Sequence, residues 1–258
     1  MRRDISLRSL SGVPEVRPGD DLAALIVAAM EGAPPDSGSV IAIAHTVVSK
    51  EEGAIVELAN IRPSERAVAL AAEADRDPRV VEVVLAESLE ILRAERGVLI
   101  SRTRKGLVCA NAGVDASNAA APDTVLLLPR DPDGSARRIR ARIAQLLGAG
   151  AGPVPPAVMI TDTFGRPWRQ GQTDVAIGLA GLQPLDDWRG RTDAAGASLS
   201  ATVLAVADAA AGAADLARAK DSGEPVVVIE GLSHFVTDDD GPGAAALVRP
   251  LDEDLFRS

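Results

Sequence analysis

A mixed α+β fold is the expectation for this chain, for three reasons. Stretches with helical spacing and short β-rich runs alternate irregularly, without the repeated β-α-β rhythm that builds a doubly wound sheet. Two neighbouring apolar runs, 98–101 and 107–110, are separated by a polar segment ending in Gly106 and read as a hairpin. No internal repeat is visible.

In chain order, residues 20–30 read as a helix, with Leu22, Leu25 and Ile26 on one face, and 40–48 as a buried strand. Residues 64–74 and 78–96 read as two helices, the second carrying Val80, Val84 and Ile91 at helical spacing. The hairpin follows, and its second strand delivers Asp115 just past its end. After a strand at 125–128, Pro132-Asp133-Gly134-Ser135 opens a helix that runs to 147, with Asp133 or Ser135 as its cap. Residues 148–156 are rich in Gly, Ala and Pro and form the best boundary candidate inside the chain. Strands are expected at 158–161, leading to Asp162, and at 175–182. An alanine-rich helix over 198–219 and a last strand over 226–230 complete the reading.

With 258 residues and 47% hydrophobic content, the chain is able to bury one large core or two smaller ones. It contains no run of 18 apolar residues, and Met1-Arg2-Arg3 is followed by no apolar signal region, so the expected setting is the cytoplasm and no membrane is involved. The single cysteine, Cys109, excludes an internal disulfide and a multi-cysteine metal site. A net charge of -10 argues against nucleic acid, whose binding needs a basic surface. Arginines outnumber lysines 24 to 3, which reads as compositional drift and gives each of Lys50, Lys105 and Lys220 more weight as a signal.

Two segments carry the clearest chemistry. Ala110-Asn111-Ala112-Gly113-Val114-Asp115-Ala116-Ser117-Asn118 and Ile160-Thr161-Asp162-Thr163-Phe164-Gly165-Arg166 each bring a carboxylate to the end of an apolar run, among small polar residues and a glycine. Taken singly, each is an ordinary turn. Taken together, Asp115 and Asp162 are the first choice of ligands for Mg or Mn, which take oxygen donors and keep a bridge to substrate phosphates; Thr163 offers a hydroxyl or carbonyl oxygen to a second cation. Arg166 and Arg169 flank the second segment and are placed either to clamp an oxyanion or simply to face solvent. Asp208 and Asp215 share a helix face that reads as solvated or helix-pairing. Neither a Walker A sequence nor a strand followed by G-x-G-x-x-G occurs.

The segments also resemble, in order and in register, the coenzyme F420-0:γ-glutamyl ligase family. The likeness includes Ser11-Gly12-Val13-Pro14, Arg17-Pro18-Gly19-Asp20-Asp21-Leu22, Val47-Val48-Ser49-Lys50-Glu51-Glu52-Gly53, Pro63-Ser64-Glu65-Arg66-Ala67, the two acidic segments, Pro129-Arg130-Asp131-Pro132-Asp133-Gly134, Arg169-Gln170-Gly171-Gln172-Thr173-Asp174 and Asp187-Trp188-Arg189-Gly190-Arg191-Thr192-Asp193. The end of the chain, through Asp254-Leu255-Phe256-Arg257, looks like the ligase-domain terminus of the two-domain members, which leaves open a stand-alone ligase or an excised domain. The resemblance implies two α+β subdomains within one ligase domain spanning 1–258, an intertwined homodimer, and Mg or Mn together with K as cations. It implies GTP, L-glutamate and F420-0 as substrates: GTP phosphorylates the terminal carboxylate of a deazaflavin that bears a phosphodiester, and the acyl phosphate is attacked by the glutamate amine.

By the same resemblance Ser11, Gly12, Val13, Pro14, His45, Lys50 and Asn118 fall where the family contacts the nucleotide. Bland alternatives stand beside this: a plain turn at Gly12-Val13-Pro14, a solvated lysine, a hydrogen-bonded histidine. The chain departs from the family pattern at Arg218-Ala219-Lys220-Asp221-Ser222-Gly223-Glu224-Pro225. There Lys220 either contacts a phosphate or sits in a solvated loop, and Asp221 or Glu224 is left as an alternative metal ligand. No general base is named. The competing readings are a ligase of this fold acting on another phosphorylated carboxylate, and a non-catalytic nucleotide-binding module.

Overall fold

The computed structural model describes residues 4–117 and 121–254 and shows a mixed α+β fold. The elements run β1 (Ser6–Ser9), α1 (Leu22–Ala29), β2 (Val40–Ala44), α2 (His45–Glu51), β3 (Ile55–Glu57), α3 (Glu65–Ala74), α4 (Pro78–Glu87), β4 (Ser88–Glu95), β5 (Val98–Thr103), β6 (Val108–Ala110) and β7 (Thr124–Leu126). They continue α5 (Pro132–Leu147), β8 (Ala157–Arg166), β9 (Arg169–Ala180), β10 (Leu185–Asp187), β11 (Val203–Ala205), α6 (Val206–Ala217) and β12 (Val226–Glu230). Among the described residues no helix is long and apolar enough to cross a membrane.

The main sheet has the order β1-β12-β2-β8-β9, with β2 and β8 parallel and the other pairs antiparallel. Its central strands read as continuous apolar runs because both faces are covered. Ile41, Ile43, Val158 and Ile160 face one core with Leu22 and Ile26 of α1 and Ile139 and Ile143 of α5. Their neighbours Val40, Ala42 and Met159 face the other, against Ala207, Ala211 and Ala214 of α6. The two sets alternate along each strand, as the period of two in a pleated strand requires. A smaller cluster joins Ala67, Ala71, Val81 and Val84 of α3 and α4 to Leu99 of β5, beside the sheet β4-β5-β6.

Several elements differ from expectation. The apolar run 40–48 is strand only to Ala44; the register ends at Ala44↔Thr161 and Ile43↔Val226, and with no further partner the chain closes into α2. The helix expected over 78–96 stops at Glu87, where the Ser88 hydroxyl donates to the Val84 carbonyl and 88–95 pairs with β5 as a third strand beside the predicted hairpin. The long helix expected over 198–219 begins only at Val206, because Val203–Ala205 pairs with Leu185–Asp187. Strand β9 starts earlier than expected, so β8 and β9 form one long hairpin. The segment 148–156 opens as a single 3-10 turn, Gly148–Ala151, between α5 and β8.

Neither Asp133 nor Ser135 caps α5, whose N-cap is Asp131. Asp133 instead accepts from the amides of Leu179 (2.8 Å) and Ala244 (2.7 Å), pinning the helix start to β9 and to the C-terminal segment. Ser135 donates to the Glu52 carboxylate. Arg140, buried in α5, donates to the carbonyls of Pro156, Thr237, Asp238 and Asp239 and to the Asp240 carboxylate at 3.0 Å. One guanidinium thereby satisfies a whole loop of acceptors.

Candidate active site

The parallel pair β2 and β8 brings two chain segments to the same end of the main sheet, and a cavity of about 620 Å³ opens there. His45 follows directly on β2 and Asp162 on Thr161, the last residue of β8 that pairs with β2; the imidazole Nε2 lies 3.3 Å from Asp162 Oδ1. That same oxygen accepts the Thr163 amide at 2.7 Å. Asp162 therefore sits within a strand that continues to Arg166, not past the end of one.

Asp115 enters from the smaller cluster. Its backbone bridges Leu126 of β7, and its Oδ1 accepts from the Ser117 amide and hydroxyl, both at 2.6 Å. Lys50 reaches the cavity from α2 and pairs with Glu15 at 2.6 Å; its side chain is only 12% exposed, so it is not a solvated lysine.

The remaining wall is a charge network that the sequence reading did not single out. Asp174 of β9, with a side chain 4% exposed, accepts from Thr163 Oγ1 (2.7 Å) at one oxygen and from Thr161 Oγ1 (2.8 Å) and Arg218 Nη2 (2.7 Å) at the other. Lys220 Nζ donates to Thr163 Oγ1 at 2.9 Å and pairs with Asp215 at 2.9 Å. Asp215 thus belongs to the cavity's charge network. Asp208 is no solvated group either: it is half-buried and accepts the Ala176 amide at 3.0 Å, and burial raises its carboxyl above the usual range.

Val13, Pro14, His45, Lys50, Asp115, Asp162, Thr163 and Lys220 all line this one cavity. Ser11 and Gly12 precede it in an exposed turn and do not. Asn118 lies outside the described residues. Glu224 lines the cavity but bonds Ser9 at 2.6 Å, whereas Asp221, Arg166 and Arg169 do not line it.

Residues 12–231 match the family described as F420-0:Gamma-glutamyl ligase. Similar proteins named coenzyme F420:L-glutamate ligase occur in Methanopyrus kandleri, 47% identical over 94% of both chains, and in Methanothermobacter thermautotrophicus, 44% identical over 98% of this chain and 99% of the relative. Another from Methanocaldococcus jannaschii is 40% identical over 87% of both. The chain belongs to the F420-0:γ-glutamyl ligase family.

Within this ligase the cavity's electrostatics are set by burial. Arg218 has its guanidinium pushed below its usual range by desolvation, against the pull of Asp174 and Asp215. Cys109 also lines the cavity; burial first, and the Asp162 charge second, push its thiol up to about 12. A thiol held so far above neutrality carries almost no thiolate. Native ligase at pH 8 is therefore expected to resist iodoacetamide at Cys109 and to react fully once unfolded, as followed by intact mass; rapid native alkylation contradicts this electrostatic picture.

Asp174 and Arg218 stand in the segments 169–174 and 218–225 quoted above, but nothing local singles either out as a site residue. Asp174 stands in a strand whose expected start at 175 excluded it, and Arg218 is one arginine among 24. The one available signal was the alternation Thr161, Thr163, which puts two hydroxyls on one face of β8 and calls for a buried partner.

Proposed function

We propose that this ligase joins L-glutamate through γ-linked amide bonds to coenzyme F420-0, using GTP. One observation carries the reading: Asp115, Asp162, Lys50 and the pair Arg218 and Lys220, from four separate stretches of an acidic chain, converge on a single cavity. Strongly anionic substrates bind such a protein only where cations reverse the local field.

The donor set fits one divalent cation. Two carboxylates facing one cavity are the usual protein share for Mg or Mn, with water and phosphate oxygens completing the shell. Among the described residues no group of three or more His, Cys, Asp or Glu side chains gathers to hold an ion alone, in keeping with a shell shared with substrate. Asp115 and Asp162 would hold the ion, which supplies charge neutralisation to the phosphoryl group in transfer. His45 and the Thr163 amide fix the orientation of the Asp162 carboxylate. The Thr163 hydroxyl is engaged by Asp174 and Lys220, so the ammonium adds positive charge at that wall.

In this reading the γ-phosphoryl group passes from GTP to the acceptor carboxylate. The glutamate nitrogen, having lost a proton, attacks the acyl carbon, and phosphate departs with the electron pair of the broken C–O bond. The chain's part is positioning and charge, and no protein nucleophile is required.

The test is incubation with F420-0, GTP, L-glutamate and Mg or Mn, followed by mass analysis. Added glutamyl units, with GTP used well ahead of ATP and hydrolysed only when the acceptor is present, are expected; an unchanged acceptor mass overturns the reading. A companion titration of GTP affinity against metal for Lys220→Glu is expected to show weaker binding, most at low metal, through lost attraction to phosphate. Curves superimposable on wild type would remove Lys220 from the site.

A further inference from the structure

A second cavity, of about 420 Å³, shares a wall with the first. The wall is the turn Asn111–Gly113: Gly113 lines the first cavity, and its neighbour Ala112 lines the second. A Cβ on Gly113 would stand 2.6 Å from Leu128, which lines the second cavity, so these two packed residues form the partition there. All three residues of the turn are left-handed, with φ of 53°, 53° and 72°. For Asn111 and Ala112 this conformation costs about 1–3 kcal/mol each and persists only where the surroundings impose it. Here the Asn111 carboxamide is held by the Leu99 amide at 3.3 Å.

The second cavity has two chemistries. Its floor is apolar, from Val56, Leu107, Leu127, Leu128 and Pro132. Arg104, Lys105 and Arg130 also line it, against one carboxylate, Glu87. Three cations to one anion is a local reversal of field in a chain of net charge -10. The cations are loosely engaged: Lys105 lies 3.6 Å from Asp131, Arg104 donates to the Ala86 carbonyl at 3.1 Å, and Arg130 is exposed. The volume falls in the roughly 300–1,000 Å³ range of small-molecule sites, which pair apolar walls with a few polar anchors.

We propose that this second cavity seats the planar deazaflavin ring of the acceptor, its faces against the apolar floor. Arg104, Lys105 and Arg130 receive its phosphodiester tail, which runs round the Asn111–Gly113 turn to the first cavity, where the carboxylate reacts. The inference rests on the acceptor reading given above and adds a location to it. A ring with an anionic tail matches the pairing of apolar floor and cationic residues, and GTP phosphates are already provided for in the first cavity.

The deazaflavin's own fluorescence allows F420-0 binding to be titrated directly, beside a separate titration of GTP. The double variant Arg104→Glu, Arg130→Glu changes only exposed side chains; it is expected to weaken F420-0 about tenfold by charge reversal and to leave GTP affinity unchanged. Ala54→Phe, which fills the cavity from its wall, is expected to weaken F420-0 selectively as well. Wild-type F420-0 affinity in both variants, while the parent protein still extends F420-0, overturns the proposal and leaves the reaction standing. A loss shared equally by GTP also overturns it, by assigning the effect to the first cavity. A parent protein that neither binds nor extends F420-0 removes the acceptor reading itself.

Discussion

Asp162→Asn is expected to lower the rate of glutamate addition by roughly 10²–10⁴-fold with the fold intact. The figure follows from the several kcal/mol that a bound cation contributes to a phosphoryl-transfer transition state, at 1.36 kcal/mol per decade. An amide keeps the shape of the carboxylate and still accepts the Thr163 amide, now 2.7 Å away, so β8 has no reason to rearrange. What is lost is the charge beside His45, which lies 3.3 Å from the native oxygen. Manganese binding, followed by its paramagnetic resonance in the presence of GDP, should weaken in parallel with activity, and Asp115→Asn should behave alike. Wild-type turnover by Asp162→Asn at ordinary metal concentration would remove Asp162 from the ligand set.

The second large effect is on stability and lies away from the chemistry. Arg140→Met should destabilise the fold by about 3–5 kcal/mol, the usual range for removing one partner from a buried charged network. The methionine fills much of the volume but offers none of the donors that now reach Pro156, Thr237, Asp238, Asp239 and Asp240. Gly181 sharpens the effect, since a Cβ there would sit 2.3 Å from the guanidinium carbon, so this strand end is shaped around the arginine. For a chain of this size the thermal midpoint should fall by about 10 °C. Arg140→Lys should recover a part of that loss, because one ammonium cannot reach the same set of carbonyls. An unchanged midpoint in the methionine variant would show the 237–240 loop to be held by other contacts.

How far the sequence reveals such features depends on whether they are local. The strands 98–103, 108–110 and 226–230 and the helices 65–74 and 132–147 are legible because pattern and end signals agree, as with Ser64 capping the Ala67 amide. The run 40–48 is not legible in the same way. Valines and isoleucines suit a buried strand and a buried helix equally, and the decision at Ala44 is made by the ends of β8 and β12, far along the chain. Residues 88–95 fail for the same reason, since their pairing with β5 overrides helical spacing. In the site, Asp115 and Asp162 stood out through small polar neighbours, and Lys50 and Lys220 through rarity. Asp174 and Arg218 owe their roles to partners across the sheet and in the loop after α6, and no window of neighbouring residues contains that information.

The pairing of β2 with β8 has a consequence for what the gene tolerates. Ala44 stands opposite Thr161, so the first residue beyond each strand partner is His45 on one side and Asp162 on the other. Side chains alternate along a strand, and a single residue inserted or deleted within 157–160 would turn Asp162 to the opposite face while carrying Thr161 (insertion) or Thr163 (deletion) into its place. The same slip would exchange Val158 and Ile160, which face α1 and α5, with Ala157 and Met159, which face α6. Length change in this stretch is thus penalised twice by one event, in the core and in the cavity. Drift in length is free to accumulate elsewhere, in turns such as the Gly148–Ala151 connection that no ladder holds in register.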